Sequence, residues 1–149
     1  MGRYFDELPV GETLASPPRT VTVEDIDAFV RLSGDDNRLH TDDAFAREAG
    51  FDGRIAHGAL VVSLATGLAW RTGLLTNTTL AFRSIEKWKF SAPVYPGDAL
   101  TLRGRVAERR ALPRARAGLV RFDLEVVNQR AQVVSAGSLR MLMRRKPAP

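Results

Sequence analysis

Between Gly58 and Trp70 the chain reads GALVVSLATGLAW, with only Ser63 and Thr66 as polar breaks. A helix that is apolar on every face has no side to offer water, so the rest of the fold must enclose it. The longer apolar run from Ile55 to Trp70 includes His57 and is 16 residues long, short of the roughly 20 needed to cross a bilayer. It is therefore read as one long buried helix, with no membrane span. Gly58, Ala59, Ala65, Gly67 and Ala69 lower its intrinsic propensity but permit close approach of a sheet or a partner helix.

After Gly73 the apolar period changes from 3.6 to 2, and the alternation predicts strands over Thr79 to Phe90, Ala99 to Glu108, Leu119 to Asn128 and Val133 to Met143. Pro93, Pro96-Gly97-Asp98, Pro113 with Gly118, and Asn128 to Gln132 supply the turns. One more strand near Glu12 to Val21 brings the total to about five. Strands in succession with no helix between them form an antiparallel sheet, and the apolar helix requires that sheet to curl around it. The fold class is α+β of the hotdog type, and residues 1–149 form a single domain without repeats or linkers. Upstream, Thr22-Val-Glu-Asp25 is a capping box that starts a helix carrying Ile26, Phe29 and Val30 on one face, and Gly34 ends it. A short helix follows over Asp42 to Ala49, capped by Thr41 or Asp42 and stopped by Gly50. A single curled layer leaves its edge strands unpaired, and pairing two copies edge to edge covers them, so a homodimer is expected.

Composition narrows the chemistry. Without cysteine there is no disulfide, thiolate nucleophile or Cys-type zinc site, and two histidines are too few for most His-based metal centres, so no metal is assigned. The first residues carry no basic segment followed by an apolar one, so a cytoplasmic location is expected. The net charge of +5 divides unevenly, −4 up to Leu102 and +9 from Arg103 onward. Such a field suits a phosphate-bearing partner. A nucleic acid is disfavoured, because Arg103 to Lys146 interleaves its cations with a single aromatic, Phe122. A nucleotide handle such as coenzyme A and an acidic carrier protein both suit it as well, and charge alone does not choose between them.

Two segments carry groups that do chemistry. In Ser33-Gly-Asp-Asp-Asn-Arg-Leu-His40 a carboxylate, Asp35, precedes one of the two histidines in a loop between helices. Asp35 and His40 are complementary proton-transfer groups, and Asn37 between them either orients a substrate or fixes the loop by bonding its backbone. Asp, Asp and Asn are equally what an ordinary turn after a helix uses. In Ile55-Ala-His-Gly-Ala-Leu60 the second histidine, His57, precedes a glycine at the start of the buried helix. The free N–H of Gly58, with no Cβ to block approach, suits a developing oxyanion. The plainer account is helix–sheet packing by Gly58, with His57 a partly buried histidine bonding the backbone.

Taken in order, S-G-D-D-N-R-L-H, I-A-H-G-A-L and F-S-A-P-V-Y-P-G-D-A-L from Phe90 resemble the MaoC-like dehydratases, a family that includes the R-specific enoyl-CoA hydratases. The resemblance runs from about Phe5 to Met143. It implies a hotdog protein that adds water reversibly across a trans-2-enoyl thioester, with Asp35 and His40 as the catalytic pair and the Gly58 amide as oxyanion donor. It implies no cofactor. Asn37, His57 and Thr66 are the substrate-binding candidates, Thr66 because many relatives carry a small hydroxylic residue there. Arg38 replaces the family's usual proline, placing a cation beside the loop, and Ala59 replaces a common methionine. The nearest rival is a hotdog thioesterase, many of which hold a catalytic carboxylate on the central helix; Gly58 to Trp70 has none. A second rival is a noncatalytic acyl-thioester-binding subunit of a larger dehydratase, against which the joint presence of Asp35, Asn37 and His40 counts.

Overall fold

The computed structural model describes residues 2–147. Six strands, β1 (Thr13–Ala15), β2 (Arg19–Thr20), β3 (Thr79–Phe90), β4 (Ala99–Leu112), β5 (Ala117–Val127) and β6 (Val133–Arg144), form one antiparallel sheet. Its order is β1-β4-β5-β6-β3, with β2 also on β4. Four helices accompany it: α1 (Val23–Ser33), α2 (Arg38–Thr41), α3 (Asp43–Glu48) and α4 (Gly58–Arg71). Among the described residues no helix is long and apolar enough to cross a membrane.

Three sequence expectations need correction. The strand near Glu12 to Val21 is two short ones, because Pro17 and Pro18 have no N–H to give to a ladder. Ser16 bridges the break, its hydroxyl accepting the Leu102 N–H at 2.9 Å while its own N–H donates to the Leu102 carbonyl at 2.9 Å. That raises the count from five strands to six. β4 runs past Glu108 to Leu112, where a tight turn at Pro113–Ala115 and the left-handed Arg116 reverse the chain. Lastly, α4 is not enclosed on all sides within one chain. Leu60, Val61, Ala65, Leu68 and Ala69 are buried against the sheet, whereas Ala59, Ser63, Gly67 and Trp70 form an exposed stripe.

The inner sheet face carries Leu100, Leu102, Val106, Val120, Phe122, Val126, Leu139, Met141 and Met143, all buried together with α4 in one core. Each fully buried leucine or valine contributes on the order of 2 kcal/mol. β3 differs. Its Phe82 and Ile85 pair in register with Met141 and Leu139 and share their face, yet remain 46% and 47% exposed because β3 is the sheet's edge. Register shifts interrupt β3, and Lys87 sits at φ 51° within one of them.

Candidate active site

The site is built where α1 ends and α4 begins. Thr22 caps α1, accepting the Asp25 N–H while the Asp25 carboxylate accepts that of Thr22, and Arg19 holds Asp25 through bonds of 2.7 and 3.0 Å. The Arg19 guanidinium is the main reason the Asp25 carboxyl lies below the ordinary aspartate value. At the other end Gly34 turns left-handed at φ 77°, as a helix C-cap requires. The Ser33 hydroxyl donates to the Phe29 carbonyl at 2.6 Å and accepts the Asp35 N–H at 3.2 Å. Asp35 accepts the Asn37 N–H, and Asn37 in turn caps α2 by accepting from Leu39 at 3.0 Å.

His40 therefore lies on a one-turn helix and not in an open loop. Its Nδ1 faces the Ile55 carbonyl at 2.7 Å. A carbonyl only accepts, so Nδ1 carries the proton and a neutral His40 keeps its Nε2 lone pair as a base. The Ile55 N–H returns a bond to Leu39 at 3.0 Å, tying the segment before α4 to α2. His57 does the same for the other partner. Its Nε2 lies 2.9 Å from the Asp35 carbonyl, its ring stacks on His40 at 3.7 Å and 26°, and Phe29 covers it at 4.9 Å.

These bonds bring together Asp35, His40 and His57, one ligand atom from each lying within 4.8 Å of the others. One nitrogen of each imidazole faces a carbonyl, so a metal ion would find one free nitrogen per ring and the Asp35 carboxylate, short of four protein donors. A single water is better served, since two hydrogen bonds of about 2.8 Å span that separation. His40 and Gly58 share a cavity of about 460 Å³ whose other walls include Ile55, Val61, Phe90, Val94 and Val134. Gly58 is the first residue of α4, where N–H groups have no partner within the helix and the dipole favours negative charge.

The substrate-binding candidates fall elsewhere. Asn37 spends its side-chain oxygen on the α2 cap, and Thr66 donates to the Ser63 carbonyl of its own helix at 2.7 Å. His57 is 2% exposed, enclosed between His40 and Phe29 as a brace for the loop. None of the three is part of the cavity wall. Arg38 is drawn away from the pair, bonded to Asp42 at 2.7 Å and lying over the Phe45 ring, and it is the main cause of the lowered Asp42 pKa. Among the wall residues that carry no role in the sequence reading is Phe90, although it opens the third motif.

Half of the twelve cations in the basic segment are spent in ion pairs: Arg103, Arg105, Arg121, Arg140, Arg145 and Lys146. A cleft of about 670 Å³ at the end of β6, lined by Tyr4, Leu80, Arg116, Arg144, Arg145 and Lys146, gathers four of the twelve. Along β6, Ser135, the register partner of Phe90, lies nine residues before Arg144, so cleft and cavity are about 30 Å apart at roughly 3.3 Å per residue.

Comparison with known proteins agrees with this architecture. An (R)-specific enoyl-CoA hydratase of Rhodospirillum rubrum is 34% identical over 103 residues, covering 66% of this chain and 65% of that protein. The crystal structure of a MaoC-like dehydratase from the same bacterium has a TM-score of 0.87 at 26% identity, covering 99% of this chain and 100% of that one. A Mycobacterium tuberculosis protein with a double hotdog fold has a TM-score of 0.88, covering 99% of this chain and 46% of that one; at 23% identity it speaks for the fold alone, which is the hotdog fold. Three curated relatives, that hydratase among them, are spanned over 30%, 52% and 65% of their own length. Residues 6–128 match the family described as MaoC like domain, and with the fold and ordered motifs in agreement the chain belongs to that family.

Proposed function

We propose that the chain is a hydro-lyase that adds water to a trans-2-enoyl thioester of coenzyme A, or of an acyl carrier protein, giving the R-3-hydroxyacyl thioester, and catalyses the reverse. The observation that carries this reading is the approach of the Asp35 carboxylate and the His40 ring to within 4.8 Å of each other, with His40 sharing a cavity with the start of α4. The His40 Nε2 takes a proton from a water that it holds jointly with Asp35, and the water oxygen bonds to C3. The C2–C3 double-bond electrons move toward C1, and the charge gathered on the thioester oxygen faces the Gly58 N–H. The proton returns from the pair to C2, so the pair ends as it began. Asp35 stabilises the imidazolium while it holds that proton. Because one water supplies both parts, they add to the same face of the alkene.

The same reading includes a homodimer joined through β3. That strand is a twelve-residue edge with Phe82 and Ile85 exposed beside the core, and the small-residue stripe of α4 admits a second helix closely. Antiparallel pairing of β3 with its copy sets the Phe90 end of one chain beside the Leu80 end of the other. The cationic cleft of the second copy then stands about two strand spacings, roughly 10 Å, from the first copy's cavity, within reach of the carrier's phosphates.

A coupled assay of trans-2-butenoyl-CoA hydration with chiral analysis of the product tests the activity; an S product or dependence on an added metal refutes it. Asp35→Asn and His40→Ala should each lower kcat by about 10² to 10⁴ with folding intact, and the double variant should be little worse than the poorer single one. Multiplicative losses would show that the two do not act on one water. Asp36→Asn, a change in the adjoining turn, should stay within about tenfold of the parent, since a turn takes Asn as readily as Asp.

A further inference from the structure

The start of α4 is not open on all sides. The Phe90 ring tip lies where a side chain on Gly58 would begin, with Cζ, Cε1 and Cε2 at 3.0, 3.1 and 3.2 Å from the position of an ideal Cβ. That position is one bond from the Cα whose N–H meets the thioester oxygen, so an acyl group seated there has the ring as its immediate neighbour. Phe90 ends β3, lines the cavity shared by His40 and Gly58, and is 56% exposed. A core aromatic would have surrendered most of its surface. Phe90 keeps more than half, and its place is defined by contact with the one residue that has no side chain to oppose it.

Most of the remaining wall is aliphatic, with Ile55, Val61, Val94 and Val134, while Phe51 is a second aromatic and Ser91 and His40 are the polar members. Discrimination among acyl groups there rests on shape, because a hydrophobic pocket tells substrates apart chiefly by volume. Pantetheine has to leave toward solvent, so the cavity takes the acyl part, and the first acyl carbon beyond the carbonyl is C2. We propose that Phe90 is the specificity wall of the acyl site: its ring closes on C2 and excludes acyl groups that carry a substituent there.

The proposal rests on the acyl-thioester reading above, and its test separates the two. Binding of the unreactive butanoyl-CoA and 2-methylbutanoyl-CoA is measured by calorimetry, and hydration of trans-2-butenoyl-CoA and its 2-methyl analogue is measured in parallel. One methyl group is worth roughly 10- to 200-fold in such a pocket. The parent chain should prefer the unbranched thioester by about tenfold or more, and Phe90→Ala should bring the ratio within about threefold, with Phe90→Leu between. Val10→Ala, exposed and outside the cavity, should leave the ratio alone. No preference in the parent, or a ratio unchanged in Phe90→Ala, overturns the proposal whether or not hydration occurs. Selective binding without hydration leaves the wall standing and refutes the hydratase reading instead. Failure to bind either thioester overturns the wall and, with it, coenzyme A as the carrier in the hydratase reading.

Discussion

Replacing Gly58 by alanine should separate stability from activity. Gly58 does not have a positive φ, so an L side chain meets no backbone penalty there. Alanine gains up to about 1 kcal/mol in helix propensity and removes about 0.4–1 kcal/mol of unfolded-chain entropy, two descriptions of largely the same effect. Against this, the new methyl would lie 3.0 Å from the Phe90 ring, which must retreat by about 0.4 Å to an ordinary contact. A displacement that small costs little at a ring more than half exposed, whereas making room for a whole methyl group on a bound acyl chain would not. The net change should be within about 1 kcal/mol of zero, a shift of a few degrees in Tm for a chain of this size. Activity should respond differently, since on the proposed mechanism the methyl stands beside the N–H that would receive the thioester oxygen. A lost oxyanion donor costs about 10² to 10³ and a misplacement near 1 Å about 10², so a partial obstruction should lower kcat by about 10 to 10². Calorimetric melting and steady-state hydration of trans-2-butenoyl-CoA measure the two sides. In Gly58→Ala/Phe90→Ala the ring conflict is gone while the methyl remains, so activity should stay low. Parent-like turnover in Gly58→Ala, or recovery in the double variant, would refute the assignment of the oxyanion to this amide.

The edge of the sheet and the base of α1 give two further tests. Phe82→Lys with Ile85→Lys places solvated charge on the free edge and should reduce the scattering mass from twice the 16.4 kDa chain to a single copy; an unchanged mass would place the interface elsewhere. The Asp25 carboxyl is held below its ordinary value chiefly by Arg19, so the pair stabilises the fold above the ordinary aspartate range and that contribution is lost as pH falls through the folded value. Arg19→Ala should therefore be less stable than the parent at pH 7, with the gap closing on acidification; a gap constant from pH 7 to pH 2 in denaturant titrations would contradict this.

What the sequence made legible was local. The Thr22–Asp25 box and Gly34 set both ends of α1 because every partner lies within four residues. Asp42 and Gly50 bound α3 for the same reason. The four long strands followed from alternation, which survives wherever one face is buried. Pro17-Pro18 broke the first strand although its flanks alternate, because a missing N–H overrides the side-chain pattern. α2 was not legible, since a four-residue helix has too little periodicity to register and is held by the Asn37 cap and the bond from Ile55. The exposed stripe on α4 was hidden too. An apolar helix in a sequence does not say whether its own sheet or a second copy covers each side.

The chemistry of the site was legible as residue types and not as roles. Asp35 and His40 are five positions apart, but what aims them comes from farther along the chain: the Ile55 carbonyl holds Nδ1 of His40, and His57 reaches 22 positions back to the Asp35 carbonyl. Both braces use backbone oxygens, which any sequence supplies, so no residue pattern announces them. They also explain why an exposed aspartate on a turn can serve as a positioned group. A loop carboxylate pays an ordering cost each time it is used, of the order of 1–2 kcal/mol per backbone residue fixed. Here that cost is met on folding, through a histidine 2% exposed that is clamped between two aromatic rings. The histidine nearest in sequence to the proposed oxyanion amide thus bonds the Asp35 backbone and not His40's, and the motif I-A-H-G ties both segments through its backbone as well as its side chain.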